Sequence, residues 1–348
     1  MIKVLVIDDS AFMRQVLSHL LEASDNIQVV GTAKDPYEAR VLLKTLKPDV
    51  ITLDVEMPKM DGLAFLRNLM RLRPMPVVMV SSLTQKGADV TLEAIDLGAV
   101  DFIAKPRDNT QASLSMFQQQ LVDKVTGAAE INIAEYLTTL STPSATKSPH
   151  STSRQQPPSK PEQLIAIGAS TGGIEAIQYI LQTMPLNCPP IVIAQHIPPV
   201  FSRSFANRLN NNCDINVIEA KGGELLSLGT AYIAPGDQHL QIECVAGQLK
   251  TKLNDAPAVN RHKPSVDVLF DSIAEHAATK AIGVILTGMG HDGGQGLLNM
   301  KLAGAHTIAQ NKASSIVWGM PGTAVSMGAA KEQQPLDTIP SKLLQLMA

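Results

Sequence analysis

LIAIGASTGGIEAIQYILQTM, residues 164–184, opens with an apolar run, passes through small residues and ends in apolar positions of helical period, so it reads as strand, tight turn and helix. The turn carries Gly168-Ala169-Ser170-Thr171-Gly172, the G-x-S-x-G pattern in which glycines permit a sharp bend that lifts a serine hydroxyl above a sheet edge. Taken alone, such a loop also suits phosphate binding or a plain turn.

Downstream, apolar strands recur in IVIAQH, INVIEA, AYIAPG, AIGVILTG and HTIAQN, with a hairpin in HLQIECVAGQLKTKL. Helices are expected to start near Gly173, Phe201, Val266 and Gly293. This predicts an α/β domain of mixed sheet over 162–348. Upstream, STPSATKSPHSTSRQQPPSKP offers nothing to bury and marks the core of a flexible linker, assigned to 125–161. The first 124 residues alternate strand and helix: KVLVID, IQVVGTA, DVITLD, PVVMVSS and DFIAK, each followed by a segment of helical period. That alternation predicts a doubly wound, five-stranded parallel sheet.

A chain of 348 residues accommodates two such domains, each with its own core. Aromatics at 3% and a net charge of -3, with no basic stripe, argue against nucleic acid as partner. Cys188, Cys213 and Cys244 are widely spaced and show no C-x-x-C, so neither a disulfide framework nor a zinc site is expected. The apolar run at the N-terminus is too short for a signal peptide and no run approaches a membrane span, which predicts a cytoplasmic protein without membrane insertion.

In the N-terminal half, Asp8 and Asp9 end the first strand, Asp54 the third, Ser81 the fourth and Lys105 the fifth. Strand ends in a doubly wound sheet share one edge, so these side chains converge. Three carboxylates at close range repel unless a hard cation sits among them, and Mg2+ is the natural one. Asp54 is then a metal-assisted nucleophile toward phosphorus, with Lys105 pairing the phosphoryl oxygens and the Ser81 hydroxyl within reach of them. Singly, each aspartate is as readily a helix cap.

In the C-terminal half, His196 closes IVIAQH and Asp292 follows the strand IGVILTG, so both are expected at the edge that carries Ser170. A serine hydroxyl needs an imidazole to take its proton, and the imidazole needs a carboxylate to set its tautomer. His239, His262 and His291 are competing imidazoles, and Asp292 also suits a cap of the helix beginning near Gly293.

Residues 1–124 resemble the response-regulator receiver domain. The resemblance implies Asp54 as phosphoacceptor, Asp8, Asp9 and Asp54 as metal ligands with the Glu56 backbone carbonyl, and Ser81, Phe102 and Lys105 as residues that report phosphorylation. From Leu164 onward, IGASTGG, AQHIPPVFSRSFANRL, YIAPGDQHL, HKPSVDVLF, LTGMGHDGG and NKASSIVWGMPG resemble the chemotaxis protein-glutamate methylesterase family, often called CheB. That likeness implies Ser170 as nucleophile, His196 as base then acid, Asp292 as its orienter, the Met289 region as oxyanion donor and Thr171 as a second donor or positioning group. It implies hydrolysis of receptor glutamyl methyl esters, deamidation of receptor glutamines, chemotaxis receptors and a histidine kinase as partners, and no cofactor for the hydrolase chemistry. Control is expected from a receiver that covers the groove until Asp54 is phosphorylated. Ile174 stands where relatives commonly carry Pro, which only preorganises a first helical turn.

Two competing output functions are disfavoured. No helix-turn-helix or basic helix follows the linker, and GASTGG lacks the lysine of a nucleotide-binding P-loop.

Overall fold

The computed structural model describes residues 1–57, 62–106, 110–134, 136–137 and 163–347. The chain divides into two compact units, Met1–Thr142 and Pro143–Ala348. Most of the expected linker, 138–161, lies outside the described residues.

In the first unit the strands β1 (Ile2–Ile7), β2 (Ile27–Ala33), β3 (Val50–Asp54), β4 (Val77–Ser81) and β5 (Asp101–Ala104) form one parallel sheet in the order β2-β1-β3-β4-β5. Helices α1 (Ala11–Glu22), α2 (Pro36–Leu46), α3 (Gly62–Leu72), α4 (Gln85–Asp96) and α5 (Gln111–Ala129) connect and cover it. Every residue of β3 and β4 is buried, as continuous apolar strands with helices on both faces must be. Helix starts follow local chemistry. Ser10 accepts from the Met13 amide, Asp35 from those of Tyr37 and Glu38, and Thr84 from that of Gly87. The strand order reverses between β1 and β3, and that switch point brings the ends carrying Asp8 and Asp54 side by side. Beyond α5, Tyr136 is buried and donates to the Ala99 carbonyl at 2.9 Å, so the chain stays packed on this unit past the helix.

The second unit holds β6 (Leu164–Ala169), α6 (Gly173–Leu181), β7 (Ile191–Gln195), α7 (Phe201–Asn212), β8 (Asn216–Glu219), β9 (Thr230–Ile233), β10 (His239–Val245), β11 (Gln248–Asn254) and α8 (Val266–His276). It continues through β12 (Ala281–Ile285), α9 (Gly294–Leu302), β13 (His306–Gln310), α10 (Met320–Ser326), β14 (Glu332–Gln334) and α11 (Ile339–Met347). Seven strands run in the order β14-β13-β12-β6-β7-β9-β8, and every pairing is parallel. This corrects the expectation of a mixed sheet. The antiparallel hairpin β10–β11 exists, but it forms a separate two-stranded sheet. Strands such as β6, β7 and β12 are buried throughout, whereas the hairpin is wet on one face and fits no slot between helix-covered strands. It lies instead over α8, where the Ile242 amide donates to Ser272 Oγ at 2.9 Å. Strand β14 is short and polar, an edge strand without the apolar run by which the others are legible.

Candidate active site

Ser170 occupies the turn between β6 and α6. Gly172 at φ 76° makes the bend, and the Gly173 amide closes it on the Ser170 carbonyl at 2.7 Å. A Cβ at Gly173 would lie 2.2 Å from Gln195 Oε1, so the turn can sit this close to β7 only with glycine there. The Ser170 amide donates to the Thr287 carbonyl at 3.1 Å, which fastens the turn to the end of β12.

Pairing of β6 with β7 sets the next relationship. Ala169 is registered opposite Gln195, and the His196 amide donates to the Ala169 carbonyl at 3.1 Å. Ser170 and His196 therefore leave adjacent strands from matched positions. Gln195 Nε2 ties their backbones together, donating to the carbonyls of Ser170 at 2.9 Å and His196 at 3.3 Å.

His196 Nε2 lies 2.8 Å from Asp292 Oδ2. Asp292 is buried and richly supplied with donors. Oδ1 accepts from Ser265 Oγ at 2.7 Å and Asn260 Nδ2 at 2.8 Å, and Oδ2 also accepts from the Val266 amide at 2.7 Å. Burial pushes the carboxyl upward, but the hydrogen bonds from His196, Asn260 and Ser265 outweigh it and hold Asp292 well below the usual carboxylate range. An ionised carboxylate only accepts, so the proton of a neutral His196 belongs on Nε2. Nδ1 is then left with its lone pair, buried and without a hydrogen-bond partner among the described residues. Asp292 does cap a helix, but the amides it receives belong to the N-terminus of α8 rather than to α9.

Of the competing imidazoles, His239 is buried, accepts at Nδ1 from the Ser265 amide and donates from Nε2 to the Pro257 carbonyl. His291 is exposed. His262 stacks on His196 with ring centroids 3.6 Å apart and planes 8° from parallel.

The turn containing Met289 passes directly by the serine, since a Cβ at Gly288 would lie 2.8 Å from Ser170 Cβ. The segment after Val317 supports this turn, with the Gly319 and Met320 amides both donating to the Gly288 carbonyl at 3.1 and 2.8 Å. Thr171 is buried, and its carbonyl accepts from Thr287 Oγ1 at 3.0 Å. Gln195, Asn260, Ser265 and Thr287 escaped the sequence reading as parts of the site. The adjacency of Gln195 to His196 was the one available signal, because the others arrive by tertiary contact.

In the first unit, carboxylate oxygens of Asp8, Asp9 and Asp54 lie within 4.8 Å of one another. Lys105 Nζ stands 3.0 Å from Asp8 Oδ2 and 2.9 Å from Asp54 Oδ2. Burial raises the Asp54 carboxyl to about 6 against the pull of Lys105, and the two carboxylates raise Lys105 in turn despite its own burial. A set of hard oxygens with excess negative charge fits Mg2+. The Glu56 amide reaches Asp54 Oδ1 at 3.3 Å, which places that backbone at the cluster while its side chain is exposed. Ser81 is buried at the same edge and its hydroxyl donates to backbone, nearest to the Gly87 carbonyl at 3.3 Å. Phe102 is buried, and Lys124 Nζ lies 6.0 Å from its ring centroid while pairing with Asp101 at 2.8 Å.

No helix among the described residues is long and apolar enough to cross a membrane. Residues 4–115 match the response regulator receiver domain family and residues 165–343 the CheB methylesterase family. A Salmonella typhi protein named protein-glutamate methylesterase/protein-glutamine glutaminase is 51% identical over 343 residues, covering 99% of this chain and 96% of that protein. The Escherichia coli K12 protein of the same name is 50% identical over the same length. The crystal structure of the Thermotoga maritima CheB methylesterase catalytic domain superposes with a TM-score of 0.52 at 40% identity, covering 53% of this chain and 98% of that one. With a receiver domain ahead of the hydrolase fold and its Ser170, His196 and Asp292 gathered at one sheet edge, this chain belongs to the CheB methylesterase family.

Proposed function

We propose that the chain is a phosphorylation-controlled esterase that hydrolyses γ-methyl esters of glutamate side chains on chemotaxis receptors, and that it also converts receptor glutamines to glutamate. One observation carries the chemistry. The His196 imidazole is fixed through Nε2 to a buried carboxylate, its Nδ1 is without a hydrogen-bond partner among the described residues, and its backbone amide donates to the carbonyl of Ala169, the residue before Ser170.

Ser170 Oγ attacks the ester carbonyl as its proton passes to His196 Nδ1, and the electron pair of the carbonyl moves to oxygen. Backbone amides of the Met289 turn, with Thr171, hold that oxyanion. Collapse breaks the carbon–oxygen bond to the methoxy group, which leaves as methanol with the proton from His196. Water then enters, gives its proton to Nδ1 and attacks the acyl-enzyme. The Ser170 oxygen departs with that proton, leaving free glutamate. With an amide substrate the same steps release ammonia. Asp292 accepts from Nε2–H throughout and steadies the imidazolium.

The receiver is residues 1–124, the linker 125–161 and the hydrolase 162–348. Asp54 accepts a phosphoryl group from a histidine kinase, with Asp8, Asp9, Asp54 and the Glu56 carbonyl as the ligands that would hold Mg2+. The ion, when bound, offsets the negative charge of carboxylate and phosphoryl oxygens. Lys105 moves its ammonium from Asp54 to the phosphoryl group, Ser81 turns its hydroxyl toward it and Phe102 follows. Phosphorylation of Asp54 raises the rate of ester hydrolysis, and the protein works in the cytoplasm on the cytoplasmic parts of its receptors.

The test is methanol release from methylated receptor membranes, with and without a small-molecule acyl phosphate. The reading requires release that rises with phosphodonor and vanishes in Ser170→Ala. Full activity in that variant rejects it.

A further inference from the structure

The turn Val259–His262 touches both members of the His196–Asp292 pair. Its ends are joined by reciprocal backbone hydrogen bonds, Val259 amide to His262 carbonyl at 3.1 Å and His262 amide to Val259 carbonyl at 2.9 Å. Its central residues, Asn260 at φ 50° and Arg261 at φ 68°, are left-handed, the geometry of a tight primed hairpin turn. Asparagine tolerates that region and arginine much less readily, so surrounding structure must hold this turn in place.

Two side chains leave the turn toward the site. Asn260 Nδ2 donates to Asp292 Oδ1 at 2.8 Å and to Asp267 Oδ2 at 2.6 Å, bridging the carboxylate that receives His196 to one in the first turn of α8. His262 lays its ring on that of His196, at 3.6 Å and nearly parallel. Neither residue has a part in the bond-making steps described above.

An imidazole held by one hydrogen bond at Nε2 can still swing about that bond, which carries Nδ1 toward or away from Ser170 Oγ. A flat ring pressed against its face removes that freedom. When His196 gains the serine proton, the new cation also lies against the π face of a neighbouring aromatic ring. Both effects act on the step that transfers the proton, so they lower the barrier without altering how the ester is bound.

We propose that His262 is a positioning residue of the hydrolase. It is a stacking plate that sets the plane of the His196 ring and shelters its cationic form, while Asn260 from the same turn holds Asp292. The role belongs to the aromatic face of His262 and requires no proton transfer at its nitrogens. The proposal rests on the assignment of Ser170, His196 and Asp292 made above.

The experiment uses the full chain with methylated receptor membranes and reads kcat and KM separately for His262→Ala and His262→Phe, with Ser170→Ala and His196→Ala in parallel. His262→Ala is expected to lower kcat roughly 10- to 100-fold, the scale of a small misplacement of a catalytic group, with KM changed less than about twofold. His262→Phe restores the flat face and is expected to return kcat to within about threefold of the parent. A folded His262→Ala protein at the parent rate overturns the proposal, and so does a folded His262→Phe protein as slow as His262→Ala. Should circular dichroism show His262→Ala unfolded, His262→Phe decides alone: a near-parental kcat supports the stack and a large loss refutes it. If Ser170→Ala and His196→Ala are inactive while folded His262→Ala turns over at the parent rate, only the stacking role falls. If either of those two retains parental turnover, the triad assignment falls and the stacking role with it.

Discussion

Gln195 Nε2 sits 2.9 Å from the carbonyl oxygen of Ser170 and joins the Ser170 backbone to that of His196. A buried amide between two strand ends thus does what strand pairing cannot do beyond the last ladder bond. Replacing it with Leu keeps the volume but leaves the buried Ser170 carbonyl and the part-buried His196 carbonyl without this donor. Gln195→Leu is expected to cost about 1–3 kcal/mol of hydrolase-domain stability and to lower kcat more than KM. Calorimetry and steady-state methanol release check the two parts.

Gly173→Ala reverses the usual helix-propensity argument. Alanine favours a helix over glycine by about 1 kcal/mol, yet the added Cβ would lie 2.2 Å from Gln195 Oε1 and 2.6 Å from Ala169 Cβ. Steric crowding is expected to win, with a net loss of about 1–3 kcal/mol and slower turnover as the elbow shifts. A raised melting temperature would contradict this.

Asp292 links stability to acid. Its native carboxyl titrates below the value of about 3.9 for an unfolded aspartate, because the hydrogen bonds it receives outweigh its burial. It therefore contributes stability that is fully present above that unfolded value and is lost as pH falls through the native one. Asp292→Asn lacks this contribution at every pH. The difference between parent and variant should be at its full size above about pH 4 and shrink progressively as pH falls further, measured as the hydrolase transition in calorimetry.

Ser170→Ala and Asp54→Asn should separate the two halves of the protein. The first is expected to lower methanol release by roughly 10^4- to 10^6-fold while the receiver still takes up phosphoryl from an acyl phosphate. The second is expected to keep basal release and lose its stimulation. Phosphodonor-stimulated release by Asp54→Asn would move the phosphoacceptor elsewhere.

Much of this was legible in the chain. Alternating apolar strands and helical segments predict both α/β units, and polar residues at strand ends, Asp8, Asp54 and Lys105 in one unit and Ser170 and His196 in the other, lie where the strands end. Hairpin β10–β11 was legible too, as a local pattern of alternation and turn residues. Its exclusion from the seven-stranded sheet was not, because strand order depends on which faces the helices leave open. Asn260, Ser265 and Thr287 carry no local signal, since a polar residue in a loop reads the same whether it faces water or a buried carboxylate.

Sequence by itself determined most of the elements, the two-unit organisation and the residue types able to do acyl and phosphoryl chemistry, because periodicity and turn chemistry act over a few neighbouring residues. Tertiary structure alone decided that Asp292 receives amides from α8, that His196 turns Nε2 to it and frees Nδ1, and that His262 lies across that ring. These contacts join residues far apart in the chain. Their geometry follows from strand register and helix placement, which a string of residues does not contain.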